Sequence, residues 1–326
     1  MRVTSQMYPN QLKDASNSLL TRENTLSNQI SSGMNVTNPS DDVATFGDLT
    51  TLRTDDLQTQ QYQKNTSAAQ TAATDSYQGM SDLQTVMSRV SELVTSANGT
   101  SDASTYHTIG AELSTLADQI ASIANRQTDG VYLYGGTGNV APLVSNSSAP
   151  PTYVLNTTAN YTSSVPSTTI NTNLNINYGV TAGSSTSGSS FNGFLYKSGE
   201  TSTDTYTLVA TIANEMNNAT ENTSTKTTAD PFTAEGGYQN ALKQVNSAVS
   251  LTAEYVGITS AKLTQLTTNA TALSNQDTNL QKQISNLGDV NEANAATDLT
   301  TVQTAYQAAL QAGSKILSMS LLDYIT

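Results

Sequence analysis

Residues able to do acid–base, nucleophilic or metal chemistry are scarce in this sequence. It has one histidine, His107, and no cysteine. A thiolate nucleophile, a disulfide frame and a cysteine zinc site are therefore absent, and a two-histidine motif such as HExxH cannot be written. His107 stands between Tyr106 and Thr108 at the expected start of a helix, with no nucleophile pattern around it, and reads as a solvated side chain. Gly135-Gly136-Thr137-Gly138 has the glycine density of a phosphate loop. It lacks the Lys-Ser or Lys-Thr pair of a Walker motif and follows a helix rather than a strand, so it reads as a turn. Asp41-Asp42 offers two adjacent carboxylates, which suit a helix N-cap better than a metal, because a carboxylate accepts from the free N–H groups at the positive end of a helix. These patterns yield no catalytic, cofactor-binding or metal-ligating residue, and the expectation is a protein that is not an enzyme and uses no cofactor.

Composition narrows the partners. The 326 residues carry 13 Lys and Arg against 26 Asp and Glu, a net charge of −13. So few cations cannot neutralise a run of phosphates, which argues against nucleic acid and against anionic lipid. No stretch approaches the roughly 18 apolar residues of a membrane helix, and the N-terminus lacks a signal-peptide apolar run. Expected, then, is a chain that does not enter a membrane and is not exported by cleavage of a signal peptide. Only 36% of the residues are hydrophobic, with no Trp and 4 Phe. That is poor material for one thick core and better suited to long, thin helical assemblies.

The apolar spacing agrees. Leu12, Leu19 and Leu26 are seven apart and Ile30 follows, which predicts a helix that Gly33 and Pro39 end, with Ser40 or Asp41 capping the next. From about Asp42 to Ala97, the row Ala69, Ala73, Ser76, Met80, Leu83, Met87, Val90, Val94 and Ala97 alternates steps of four and three, a coiled-coil seam. After Asn98-Gly99, Ile109, Leu113, Leu116, Ile120 and Ile123 continue it in a third helix antiparallel to the second. Further on, Leu208, Ile212 and Met216 predict a helix from about Thr205 to Asn217, and helix returns from about Glu235. Leu266, Leu273, Leu280 and Leu287 with Leu263, Ala270, Asp277 and Ile284 form two heptad rows. Asp277 is the one acidic residue among them. It either fixes register through a polar partner or marks the seam's exposed edge.

Between these helices, Gly130 to Tyr196 holds no charged residue and four of the seven prolines. Alternation from Thr172 to Val180 predicts a half-buried strand, Phe191-Asn192-Gly193-Phe194 a type I′ hairpin turn, and Ser184 to Ser190 a flexible loop.

The expected fold is mainly α with a small inserted β domain, with long antiparallel helices and a terminal coiled coil in which the N- and C-termini are paired. Residues 1–45 and 285–326 form the terminal coiled-coil assembly domain, 46–139 and 203–284 a helical-bundle domain, and 140–202 a surface-exposed β domain. The candidate assembly residues are Leu12, Leu19, Leu26 and Ile30 near the start and Leu299, Val302, Tyr306, Ala309, Gly313, Ile316, Leu317 and Leu321 near the end. Small residues at 309, 313 and 320 would let helices approach closely.

Two segments resemble the bacterial flagellin family. Asn28 to Asp42, NQISSGMNVTNPSDD, is similar to its N-terminal signature of Ile or Leu, Ser-Ser-Gly, a linker and Ser-Asp-Asp. Asn291 to Thr326, ending Ser-Leu-Leu-Asp-Tyr, is similar to its C-terminal helix. The opening Met1 to Tyr8 and the stretch Asn125 to Thr137, NRQTDGVYLYGGT, resemble the family's junction subunits rather than its filament subunits, with Tyr134 where those usually have Phe. The resemblance implies a structural subunit, extracellular on the flagellum and exported through the flagellar type III channel. It implies a ring of copies of itself between a hook-side junction protein and filament flagellin, an export chaperone, and terminal helices that fold into an inner tube on assembly. The alternatives are a filament-forming flagellin and a secreted coiled-coil adhesin or glycan-acting enzyme. The enzyme is disfavoured because residues 130–196 contain no carboxylate pair.

Overall fold

The computed structural model describes residues 4–98, 102–146, 152–156, 165–171, 174–183, 193–195, 204–219, 232 and 236–325. Among these the order is α1 (Thr4–Ser32), α2 (Val43–Ser96), α3 (Ala103–Ala124), β1 (Gln127–Thr128), β2 (Val131–Tyr132), β3 (Leu143–Asn146), β4 (Thr152–Leu155), β5 (Ser167–Asn171), β6 (Leu174–Asn177), α4 (Thr205–Asn217), α5 (Tyr238–Gly288) and α6 (Glu292–Ile325). One compact unit is built from the chain's two ends, Met1–Gln60 and Asn275–Thr326, and the other from Gln61–Ser274. Among the described residues no helix is long and apolar enough to cross a membrane.

The larger unit holds the main core. The predicted seam of α2 is its spine: Met80, Leu83, Met87, Val90 and Val94 are buried with Leu113 and Ile120 of α3, Leu208 and Ile212 of α4, and Val245 and Ala248 of α5. The seam explains why a Thr-rich sequence still packs. Thr66 and Thr252 are fully buried, and each hydroxyl donates at 2.8 Å to the carbonyl four residues back, of Tyr62 and Ala248. A β-branched side chain that satisfies its own hydroxyl behaves as a small apolar residue inside a helix. Helix caps complete the frame. Asp102 accepts from the Ser104 N–H ahead of α3, and Asp204 accepts from the Thr207 N–H at 2.9 Å ahead of α4. Exposed His107 lies in the first turns of α3.

The insert's strands form separate antiparallel two-stranded pairs, β3 with β4 and β5 with β6. Each pair leans its apolar side on helices. Leu143 and Leu155 join the main core, while Ile170 and Ile176 pack with Ala69 and Ala73 of α2 and Leu266 of α5. Within the strand expected over 172–180, β6 occupies Leu174–Asn177, and Thr172 and Asn173 lie outside the described residues. So do Phe191 and Asn192 of the expected hairpin turn and the Ser184 to Ser190 loop. Phe194 and Leu195, which are described, donate backbone N–H groups to the carbonyls of Thr181 and Ala182.

A type I′ turn does occur, at Asp129-Gly130, whose φ angles are 51° and 77°. It joins β1 to β2, and the Asp-Gly pair was the local signal for it. This hairpin sends Tyr134 into the core. The ring is fully buried, meets Phe194 edge-on at 4.8 Å, and its hydroxyl donates to the Ser76 carbonyl at 3.1 Å. Arg126 closes the hairpin onto α2 through Asp82 at 2.6 Å, and this hydrogen bond holds the Asp82 carboxyl below its ordinary range. Gly135 is obligatory in the turn, because an added Cβ would lie 2.3 Å from the Val140 carbonyl oxygen.

Candidate assembly seam

The terminal unit is two antiparallel helix pairs, α1 with α6 and the start of α2 with the end of α5. The connectors between them pair through their backbones. The Asn35 N–H donates to the Gly288 carbonyl at 2.7 Å, and the Val290 N–H donates to the Gly33 carbonyl at 3.0 Å. Gly33, with φ 71°, makes the left-handed turn that ends α1. Residues 33–36 and 288–290 are thus held side by side, and the helices leaving them run as pairs.

Asp42 starts α2. Its Oδ1 accepts from the backbone N–H groups of Ala44 and Thr45 at 3.0 and 3.1 Å, and its Oδ2 accepts from the Thr45 hydroxyl at 2.7 Å. Asp41 instead shapes the connector, where its Oδ2 accepts from Thr37 and Asn38. The bonds from Thr45 hold the Asp42 carboxyl below its ordinary range. A depressed folded value means the cap is in place above the ordinary Asp range and is lost as pH falls through that lowered value. Asp42→Ala is expected to fray the first turn of α2, read as faster amide exchange at Ala44 and Thr45. Exchange unchanged at both amides would show that the cap is idle.

Along α1 and α6 the structure brings Leu26 together with Ala295 and Val302, flanked by half-buried Leu19, Ile30, Val290 and Leu299. Gln303 donates to the Glu23 carboxylate at 3.1 Å. Further along, Gly313 is buried against Leu12; an added Cβ would lie 2.5 Å from Leu12 Cδ2. Tyr306 and Ala309 are half-buried. The side chains of Ile316, Leu317 and Leu321 lie outside the described residues, although their backbone is helical. Ala295, Val290 and the Glu23–Gln303 bond were missed in the sequence. Ala295 had a readable signal, since it stands seven residues before Val302.

The seam is thin. Of the candidates whose side chains are described, Leu26, Val302 and Gly313 are buried and the rest only half-buried. Leu20 and Leu310 remain 42% and 52% exposed on the same two helices. A two-helix pair cannot bury more than one stripe of each member, so apolar surface is left for a neighbour. Among the described residues no group of three or more metal-ligating side chains comes together.

Comparison with known proteins agrees with this architecture. The bacterial flagellin N-terminal helical region matches residues 4–138, and the bacterial flagellin C-terminal helical region matches residues 239–325. No curated protein matches the chain. Among solved structures, a putative flagellar hook-associated protein from Vibrio parahaemolyticus aligns at 18% identity, covering 76% of this chain and 100% of its own, with a TM-score of 0.59. Flagellar hook associated protein-3 from Legionella pneumophila aligns at 14% identity, covering 72% of this chain and 98% of its own, with a TM-score of 0.56. Xanthomonas campestris FlgL aligns at 15% identity, covering 71% and 98%, with a TM-score of 0.52. Both matched helical regions contain the paired terminal helices, and the chain belongs to the bacterial flagellin family.

Proposed function

We propose that this chain is a non-enzymatic structural subunit of the bacterial flagellum that acts by polymerisation at the junction between hook and filament and is needed for motility. The observation that carries the reading is the thin α1–α6 seam, with Leu20 and Leu310 left exposed beside Leu26 and Val302. Helices so incompletely buried within one chain gain the rest of their cover from other copies. The junction assignment is supported by the hook-associated names of the aligned structures and by the Asn125 to Thr137 segment, whose hairpin anchors Tyr134. The partners are copies of itself in a ring, a hook-side junction protein, filament flagellin and an export chaperone. Its location is the extracellular flagellum. Residues 1–45 and 285–326 supply the inner lattice and the seam residues its contacts, 46–139 and 203–284 the outer ones, and the 140–202 insert faces solvent.

Deleting residues 287–326 is expected to leave a soluble, partly folded monomer that does not join the assembly and cells that do not swim. Normal swimming by that strain would overturn the reading. A filament-forming flagellin is the second reading, favoured by the two flagellin helical regions themselves. Electron microscopy of purified protein separates the two, since long fibres from this chain alone would select the filament subunit.

A further inference from the structure

Asp277 is the acidic residue that interrupts the heptad rows of α5. In the terminal unit it is half-buried and faces another half-buried acid, Asp56 of α2. The two carboxyl groups are within hydrogen-bonding reach of each other and are arranged alike. Oδ2 of Asp56 accepts from Gln60 at 2.9 Å, and Oδ2 of Asp277 accepts from Gln281 at 3.2 Å, in each case four residues on along the same helix. Oδ1 of each is buried and receives no hydrogen bond from any other group. Among the described residues no cation forms an ion pair with them. On α2, Arg53, Asp55 and Lys64 are exposed, as Lys282 is on α5, and the ion pairs among the described residues involve only Arg89 and Arg126.

Two ionised carboxylates cannot occupy this arrangement without repulsion, whereas one proton between them turns the repulsion into a short, charge-assisted hydrogen bond. We propose that Asp56 and Asp277 share a single proton across the α2–α5 seam, so that this helix pairing in the terminal unit is tightened by mild acid and loosened as the proton is lost to solvent. The neutral partner donates its O–H to the ionised one, and deprotonation leaves two facing negative charges. The proposal does not depend on the assembly reading.

The direction of the effect follows from linkage. Burial, and then the Asp277 carboxyl, push the Asp56 carboxyl above its ordinary range. A carboxyl with a raised folded value contributes stability that is fully present below its unfolded value and is lost as pH rises through the raised one. Acid therefore strengthens this contact, the opposite of its effect on the Asp42 cap.

The test is hydrogen exchange on the full chain between about pH 4, near the ordinary Asp value, and pH 7.5, corrected for intrinsic rates, over residues 52–60 and 273–281. The wild-type chain is expected to be more protected at the lower pH. In Asp277→Asn, and separately in Asp56→Asn, an amide N–H donates to the remaining carboxylate at every pH. Both variants are therefore expected to lose the pH dependence and to match or exceed wild-type protection at pH 7.5. Wild-type protection that is flat across the range would overturn the proposal. So would asparagine variants that keep the pH dependence or are less protected than wild type at pH 7.5.

Discussion

Tyr134→Ala is expected to lower the unfolding free energy of the Gln61–Ser274 unit by about 3–5 kcal/mol, the range for removing a large buried aromatic from a packed core. The ring is fully buried, edge-on to Phe194, and it lies against α2 where Gly79 leaves room. Tyr134→Phe keeps the ring and removes only the bond to the Ser76 carbonyl, so its cost should be about 1 kcal/mol. Gly79→Ala attacks the same contact from the other side. An added Cβ would lie 2.1 Å from the Tyr134 hydroxyl oxygen, and a ring held on all sides cannot retreat, so roughly 1–3 kcal/mol is expected. Urea denaturation checks all three. Equal losses for Tyr134→Phe and Tyr134→Ala would show that the ring's packing is unimportant.

Leu26→Asp is expected to unpair α1 from α6 while leaving the larger unit folded. Leu26 is buried with Ala295 and Val302, and losing that burial costs about 2 kcal/mol before the added carboxylate is counted. A carboxylate placed in that apolar cluster must give up its water, which costs more than the lost apolar area even with exposed Arg22 one turn earlier on α1. The natural absence of cysteine makes the measurement clean. Glu23 and Gln303 touch, so cysteines placed at those two positions should cross-link through a short bismaleimide, and adding Leu26→Asp should abolish the cross-link. The larger unit's thermal transition should stay where it was. A cross-link that survives would show that α1 and α6 are held by something other than this stripe. Gly313→Leu should act in the same direction, since even a Cβ there meets Leu12.

Much of the architecture was legible in the order of residues. Local periodicity alone located α2 from Met80 to Val94, the α4 helix over 205–217 and the long α5, because a helix writes its buried face into its own sequence every three or four residues. That a cap precedes α2 was equally local, but Ser40 or Asp41 was the expected residue and Asp42 fills the place. The short strands were harder: β1 and β2 have two residues each, too few for a period, and only Asp129-Gly130 marked them.

The sequence by itself determined the helices, their apolar stripes, the uncharged insert and the kinship of the two ends to flagellins. It could not say which stripe meets which. That Asp277 faces Asp56, that Tyr134 rests against Gly79, that Gly313 admits Leu12 and that the connectors at 33–36 and 288–290 lie side by side were decided by tertiary structure. The physical reason is distance along the chain. Periodicity reports one helix's own geometry, whereas these contacts join residues from dozens to hundreds of positions apart and depend on how the stripes are brought into register.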